Sequence, residues 1–199
     1  MTLIIFDFDG VIVDTDSART RFIKEKFKER GIEIDDDTLK KMVGRHTEDF
    51  LKKFTQLEEK EINSIIAEKN KEILKFFVLN KNVKEALENL KPEHKIALAT
   101  SNAKRVVMHT LKRFGISHLF DFIATSEDVD KEKPHPEVLF KVLKHFKAKD
   151  AWVVEDSETG LETVKAAGLR TILFRHGFNK DLNADYIIND FSELTSIVD

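Results

Sequence analysis

Two aspartates near the amino terminus have the type and spacing of catalytic or metal-binding carboxylates. Asp7 and Asp9 directly follow the apolar run Leu-Ile-Ile-Phe at residues 3–6, and Gly10 comes next. Because residues i and i+2 of a strand point to the same face, the two carboxylates can reach one site together. Two negative charges that close repel each other, which favours a bound cation or one protonated carboxyl group. The pair therefore indicates either a metal site or one nucleophilic and one protonated carboxyl. A solvated turn is the alternative, since Asp and Gly are common turn residues.

More polar side chains follow the other apolar runs of the chain. They are Thr100, Ser101 and Asn102 at the end of the run 96–100, Lys133 in the loop after 122–125, and Glu155 and Asp156 after 152–154. Each of these residues also has an ordinary explanation. The Thr-Ser-Asn run could cap a helix, Lys133 could be a solvated surface lysine, and Glu155 and Asp156 could begin a helix. Those alternatives do not explain why the residues occur together at the ends of separate apolar runs. The sequence therefore predicts one site with four carboxylates, a hydroxyl and a lysine.

Short apolar runs and amphipathic stretches alternate in the second half of the chain. The predicted strands are residues 3–6, 96–100, 122–125, 152–154, 171–174 and 186–188, and the predicted helices after residue 95 are 104–114, 137–146, 160–167 and 191–198. This alternation predicts an α/β fold whose parallel sheet is covered by helices on both faces. In such sheets, ligands bind at the carboxyl ends of the strands, where the polar residues above are expected.

Residues 14–79 have a different pattern. The stretches 18–30, 37–43, 48–54 and 58–77 carry apolar residues at three- and four-residue spacing, with Lys and Glu between them. This spacing predicts helices and no strand. Since a crossover between parallel strands needs only about a dozen residues, the extra length predicts a small helical domain inserted after the first strand. We therefore expect a core domain of residues 1–13 and 80–199 and a helical domain of residues 14–79.

Composition excludes several classes of protein. The 199-residue chain has 41% hydrophobic and 35% charged residues and a net charge of −3, which argues against a dedicated nucleic-acid binder. No apolar run approaches the ~20 residues that a membrane-spanning helix needs, and no secretory signal pattern is present. Cysteine is absent, which excludes disulfides and thiolate chemistry. We therefore expect a soluble, cytoplasmic protein, and its oligomeric state cannot be predicted.

Four segments closely resemble, in order, the motifs of the haloacid dehalogenase-like hydrolase superfamily. They are Asp7-Phe8-Asp9-Gly10-Val11, Ala97-Leu98-Ala99-Thr100, Lys133-Pro134-His135-Pro136 and Val153-Val154-Glu155-Asp156-Ser157. The first motif alone is a weak pattern, whereas all four in sequence with consistent strand context are specific. The resemblance implies a Rossmann-like parallel-sheet core sandwiched by helices, with a small inserted α-helical cap domain.

The resemblance also implies the catalytic roles in a phosphoryl transfer. Asp7 would attack phosphorus and form an aspartyl-phosphate, and Asp9 would protonate the leaving alcohol and then take a proton from water. Thr100 would hold a phosphoryl oxygen, and Lys133 would offset the carboxylate charge and orient the phosphoryl group. In the dehalogenating members an aromatic residue, typically Tyr, takes the place of Asp9, so dehalogenation is disfavoured.

The implied cofactor is Mg²⁺, a hard cation that prefers oxygen ligands. Its ligands would be Asp7, the backbone carbonyl of Asp9 and the side chain of Asp156. Glu155 would join them directly or through water, and the sequence does not decide between the two.

The helical insertion resembles the cap of the branch that contains phosphoglycolate phosphatase and β-phosphoglucomutase. The segment Gly44-Arg45-His46-Thr47 resembles the cap loop that sets substrate choice. Gly44 and Arg45, together with Ser101 and Asn102, are predicted to bind substrate. Arg45 could clamp a second anionic group, or could be an ordinary surface arginine. The remaining histidines show no metal-ligand spacing and are interpreted as structural or surface residues: His94, His109, His118, His145 and His176.

Three functions remain to be compared. The first is hydrolysis of a small phosphorylated metabolite, of the phosphoglycolate or sugar-phosphate type. The second is a sugar phosphomutase with the same chemistry, which is disfavoured because Arg19 stands where mutases usually carry a cap histidine. The third is a phospho-acceptor signalling domain, which would have no helical insertion after its first strand.

Overall fold

The strands of the protein form a fully parallel sheet. The computed structural model describes residues 1–42, 47–176, 179 and 181–198. Its strands are β1 (Leu3–Phe6), β2 (Lys95–Ala99), β3 (Phe122–Ala124), β4 (Trp152–Glu155), β5 (Arg170–Phe174) and β6 (Tyr186–Ile188). Within the described residues, they pair in the order β3-β2-β1-β4-β5-β6. The predicted α/β fold with a parallel sheet is confirmed, and each predicted strand is present to within one residue at either end.

Helices connect the strands and fill the insertion. They are α1 (Thr15–Glu29), α2 (Asp36–Lys40), α3 (Thr47–Phe54), α4 (Glu59–Glu72), α5 (Val83–Leu90), α6 (Lys104–Arg113), α7 (Glu137–Phe146), α8 (Glu158–Ala167) and α9 (Thr195–Val198). The prediction of one helix over 58–77 was wrong in detail, because α4 tightens into a 3₁₀ turn at Ile73–Phe76. The stretch 191–198 is likewise a 3₁₀ turn, Phe191–Glu193, followed by α9.

Alternation along β1 explains how the sheet is covered on both faces. Leu3 and Ile5 belong to one core cluster, which α7 completes with side chains such as Val138 and Val142. Ile4, like Ile5, is fully buried, so the strand shows no solvent-facing side. Successive residues of a strand point to opposite faces, so helices must cover both faces. This is why the strands are continuous apolar runs in the sequence.

The strand order reverses next to β1. β2 and β3 extend the sheet on one side of β1, and β4, β5 and β6 extend it on the other. Open α/β sheets bind ligands in the crevice outside the carboxyl ends of the strands, at such a reversal. The carboxyl ends of β1 and β4 are therefore the expected place for a ligand, and they carry Asp7 and Glu155.

The insertion, Asp14–Val78, is a compact unit of its own, and residues Met1–Val13 and Leu79–Asp199 form the other unit. In the described parts of the insertion, 14–42 and 47–78, the chain forms helices and turns and no strand. Asp14 caps α1, because its carboxylate accepts a hydrogen bond of 2.9 Å from the backbone N–H of Ser17. The core of this unit consists of buried side chains from four helices and the turn after α2: Phe22, Ile23, Phe27, Leu39, Met42, Phe50, Leu51, Ile62 and Ile65.

The chain leaves and re-enters the sheet unit at neighbouring points. Val13 and Leu79 form an antiparallel bridge. The side-chain amide of Asn80 donates to the carbonyl oxygens of Gly10 and Val11, both at 2.8 Å. The exit of the insertion is therefore fastened to the turn that follows the aspartate pair.

No helix among the described residues is long and apolar enough to cross a membrane.

Candidate active site

Lys133 links two carboxylates at the carboxyl ends of β1 and β4. Its Nζ donates to Asp7 Oδ1 at 2.8 Å and to Glu155 Oε1 at 2.6 Å. All three side chains are buried, with exposed fractions of 9% for Lys133, 11% for Asp7 and 1% for Glu155. A buried ion pair needs close geometry to offset the loss of hydration, and these short contacts provide it. The lysine from the loop after β3 is therefore a fixed part of this centre.

The two carboxylate oxygens of Glu155 differ in their hydrogen bonding to the described residues. Oε1 accepts from Lys133, while Oε2 is buried and is reached by no donor in the described part of the chain. An unsatisfied buried polar atom of this kind is costly and needs an explanation. Gly160 in α8 makes room for this carboxylate, because a Cβ at that position would overlap it. The helix thus carries glycine where the Glu155 side chain needs the space.

Burial and charge control ionisation at this centre. Burial raises the pKa of Glu155 to about 8, the negative charge of Asp7 acts in the same direction, and Lys133 opposes both. For Lys133, burial favours the neutral amine, but the two carboxylates outweigh it and raise its pKa above the usual value. Lys133 therefore stays positively charged, and this one charge contacts the carboxyl groups of both Asp7 and Glu155. The raised pKa of Glu155 means that its ionised form is disfavoured as it stands, and a further bound cation would favour it.

Asp156 completes a cluster of three carboxylates. Among the described residues, ligand oxygens of Asp7, Glu155 and Asp156 lie within 4.8 Å of one another. Asp156 lies against the backbone of Gly10, where a Cβ would overlap the carboxylate and where φ is +71°. A positive φ and a close approach both require glycine at this position. The Gly of the first motif therefore makes room for the Asp of the fourth.

Asp9 has a different set of partners. The side-chain amide of Asn102 donates to Asp9 Oδ2 at 2.5 Å and to Thr100 Oγ1 at 3.2 Å. Thr100 is buried, and its Oγ1 also accepts from the backbone N–H of Asn102 at 3.1 Å. Asp9 is thus oriented by the loop after β2, while Asp7 is held by Lys133. The two carboxylates of the pair lie in different environments, as two different chemical roles require.

The remaining residues that the sequence singles out are Ser101, Gly44, Arg45 and Arg19, and none of them is among the clustered carboxylates. Ser101 is exposed beside Thr100. Gly44 and Arg45, predicted to bind substrate, lie outside the described residues. Arg19, at the position of the mutase histidine, forms an ion pair with Asp16 one turn earlier in α1.

Comparison with known proteins assigns the family. Residues 4–174 match the family described as haloacid dehalogenase-like hydrolase. The chain belongs to this family. It is 29% identical to a phosphorylated carbohydrates phosphatase of Thermotoga maritima, over 86% of this chain and 84% of that protein. It is 25% identical to the pyrophosphatase PpaX of Oceanobacillus iheyensis, over 98% of this chain and 95% of that protein.

A solved structure of the same family has the same fold. The crystal structure of a haloacid dehalogenase-superfamily hydrolase from Geobacter sulfurreducens, of subfamily IA, variant 1, superposes with a TM-score of 0.84. The two chains are 23% identical, and the match covers 100% of this chain and 97% of that one. At this identity the likeness shows the fold alone, and it confirms the predicted Rossmann-like parallel sheet with flanking helices.

The loop after β5 of this haloacid dehalogenase-like hydrolase also contacts the carboxylate cluster, which was not predicted. His176 was interpreted as a structural or surface histidine, yet its Nε2 lies 3.0 Å from Asp156 Oδ2. Asn179, which was not among the predicted site residues, donates from its side-chain amide to the Asp156 backbone carbonyl at 2.8 Å. The signal was available, because the rule that ligands gather at the carboxyl ends of parallel strands applies equally to the residues after β5.

Replacing Gly160 by alanine is expected to destabilise this hydrolase by about 1–3 kcal/mol, the usual effect of overpacking. In an exposed helix, alanine would instead be favoured over glycine by about 1 kcal/mol. The difference arises because the new Cβ would overlap the Glu155 carboxylate. Urea denaturation measures the effect, with Thr159→Ala at the neighbouring exposed position as the control. A Gly160→Ala variant as stable as the wild type would contradict the packing described for Glu155.

Proposed function

We propose that this chain is a Mg²⁺-dependent phosphatase that hydrolyses a small phosphomonoester, of the phosphoglycolate or sugar-phosphate type, through an aspartyl-phosphate. The observation that carries the proposal is the cluster of Asp7, Glu155 and Asp156, in which Asp7 and Glu155 both accept from Lys133. The family assignment and the relative that acts on phosphorylated carbohydrates agree with it.

The donor set of the cluster suits Mg²⁺. All of its ligand atoms are carboxylate oxygens, which hard divalent cations prefer. The buried Glu155 Oε2 has no hydrogen-bond partner among the residues that the structure describes, so a cation bound there would satisfy it directly or through a bound water. We propose Asp7, Asp156 and the backbone carbonyl of Asp9 as ligands, with Glu155 as a further carboxylate of the site. When bound, Mg²⁺ supplies positive charge that reduces the repulsion between the Asp7 carboxylate and a phosphate dianion.

The first half of the reaction transfers the phosphoryl group to Asp7. A carboxylate oxygen of Asp7 forms a bond to phosphorus, while the bond from phosphorus to the substrate oxygen breaks. Asp9, entering the step protonated, gives its proton to that leaving oxygen. We assign the holding of the phosphoryl oxygens to Lys133, whose Nζ lies 2.8 Å from Asp7 Oδ1, and to the buried Thr100.

The second half releases phosphate. Asp9, now ionised, takes a proton from water as the water oxygen bonds to phosphorus and the bond to Asp7 breaks. Inorganic phosphate leaves, and both aspartates return to their initial states. Asn102 keeps the Asp9 carboxylate in position for both transfers through its 2.5 Å hydrogen bond.

We also propose that the helical unit Asp14–Val78 is the cap that selects the substrate. This proposal rests on the sequence resemblance of residues 44–47 to the cap loop of the family. The unit Asp14–Val78 contributes none of the three clustered carboxylates, so substrate choice and the carboxylate cluster would belong to different units.

A substrate panel tests the proposal. Phosphoglycolate, glycerol phosphate, sugar phosphates, nucleotide monophosphates and pyrophosphate are assayed for released phosphate, each with Mg²⁺ and with a chelator. We expect release from at least one small phosphomonoester that stops on chelation and returns with Mg²⁺. No chelator-sensitive release from any compound would refute the phosphatase proposal. ³¹P NMR of the products distinguishes a phosphatase from a mutase, since a mutase would convert a sugar phosphate to its isomer without releasing phosphate.

A further inference from the structure

The loop after β5 holds Asp156 by both its side chain and its backbone. His176 Nε2 lies 3.0 Å from Asp156 Oδ2. The side-chain amide of Asn179 donates to the carbonyl oxygens of Asp156 and Phe174, both at 2.8 Å. Asn179 is buried, and its Oδ1 accepts from the backbone N–H of His176 at 3.0 Å. One buried asparagine thus connects the ends of β4 and β5 and fixes the backbone from which His176 projects.

We propose that His176 is a positioning residue for the Asp156 carboxylate, holding it in the orientation in which it binds the divalent cation. This inference rests on the proposed function, because it assumes that the Asp156 carboxylate is a cation ligand. A carboxylate accepts hydrogen bonds only, so the imidazole Nε2–H is the donor. Mutation of a residue that orients a metal ligand in this way typically lowers metal affinity or activity by about 10- to 100-fold.

The geometry places His176 outside the ligand cluster. The described residues whose ligand atoms converge within 4.8 Å are Asp7, Glu155 and Asp156, and His176 is not among them. It meets the cluster through Asp156 Oδ2. We therefore assign His176 an orienting contact to Asp156 and not the role of a fourth ligand.

Two constraints act on the same carboxylate. The backbone of Gly10 lies so close that a Cβ there would overlap Asp156 Oδ2, and His176 hydrogen-bonds to that oxygen. The close packing against Gly10 and the directional hydrogen bond to His176 both restrict rotation of the Asp156 carboxylate about its side-chain bonds. An ordered ligand loses less conformational freedom when the cation binds, so binding is tighter.

A purely structural role for His176 predicts different behaviour. Its side chain is 26% exposed, and its ring lies near Phe174 at a centroid distance of 6.0 Å. If packing were its contribution, phenylalanine would replace it and glutamine would not. If the Nε2–H donor is its contribution, glutamine, whose side-chain amide can donate from a similar position, would replace it and phenylalanine would not.

The test compares His176→Phe, His176→Gln and the wild type, with the exposed His118→Ala as the control. Isothermal titration with Mg²⁺ and electron paramagnetic resonance with Mn²⁺ give the dissociation constants. Melting temperatures in chelator show that each variant is folded. We expect the dissociation constant to rise about tenfold or more in His176→Phe and to stay within about threefold of wild type in His176→Gln.

Each alternative outcome has a defined meaning. Equal affinity in all four proteins would overturn the positioning role while leaving the proposed function intact. Equal weakening in His176→Phe and His176→Gln would overturn the donor assignment. A wild-type protein that binds neither Mg²⁺ nor Mn²⁺ would overturn the proposed cation site itself. Cation-induced stabilisation against heat gives a second readout, because a ligand stabilises the folded state according to its affinity.

Discussion

Replacing Asp7 by asparagine is expected to lower the hydrolytic rate by a factor of about 10⁴ or more, because the amide oxygen cannot serve as the nucleophile. The fold should survive, since asparagine has nearly the same shape and its side-chain oxygen can still accept from Lys133. The substitution also removes a negative charge that acts unfavourably on the Glu155 carboxylate. We therefore expect the melting temperature without Mg²⁺ to be unchanged or higher.

Steady-state phosphate release and circular dichroism measure these two effects, with Asp130→Asn at an exposed position as the control. Mass spectrometry of acid-quenched samples adds a direct observation. The wild type should carry a phosphoryl group during turnover, and the Asp7→Asn variant should not. A variant that retained more than a tenth of the wild-type rate would remove Asp7 from the role of nucleophile.

Replacing Lys133 by methionine is expected to destabilise the protein by about 3–5 kcal/mol, the usual effect of removing one partner from a buried ion pair. The reason is that the Asp7 and Glu155 carboxylates would remain buried without the cation that now contacts both. Hydrolysis should also be lost, because the phosphoryl group would lack this cation. Urea denaturation in chelator measures the stability term without a contribution from bound metal.

A double variant separates electrostatics from packing in this experiment. Adding Glu155→Gln to Lys133→Met removes one of the uncompensated charges, so we expect part of the lost stability to return. Lys131→Met, at an exposed position in the same loop, should change stability by no more than about 0.5 kcal/mol. If Lys133→Met were as stable as Lys131→Met, the contacts of Lys133 would not contribute to folding.

The parallel sheet could be predicted because its strands are buried on both faces. Such strands are continuous apolar runs, and β1 and β6 have the predicted bounds. The helix α5 was missed, although Val83, Ala86, Leu87 and Leu90 have the spacing of a buried helical face and are all buried.

The candidate site could be predicted only as a set of residues at one edge of the sheet. The pairings within it depend on side-chain conformations and on how separate loops approach each other. Neither Lys133 with Glu155 nor Asn102 with Asp9 follows from spacing along the chain. The need for glycine at position 160 is equally invisible in sequence, because it comes from a carboxylate on the preceding strand.

The bridge between Val13 and Leu79 makes the insertion a removable module. Since its two ends are already joined, a tight hairpin could connect them, and the sheet would keep every one of its neighbour relationships. Evolution can therefore exchange or reshape this segment without rebuilding the carboxylate centre. Asn80 must stay with the sheet unit, because it follows the insertion and its side chain donates to the carbonyl oxygens of Gly10 and Val11, in the turn after Asp7 and Asp9. A graft that replaces residues 14–78 and ends before this asparagine would keep both of its hydrogen bonds to that turn.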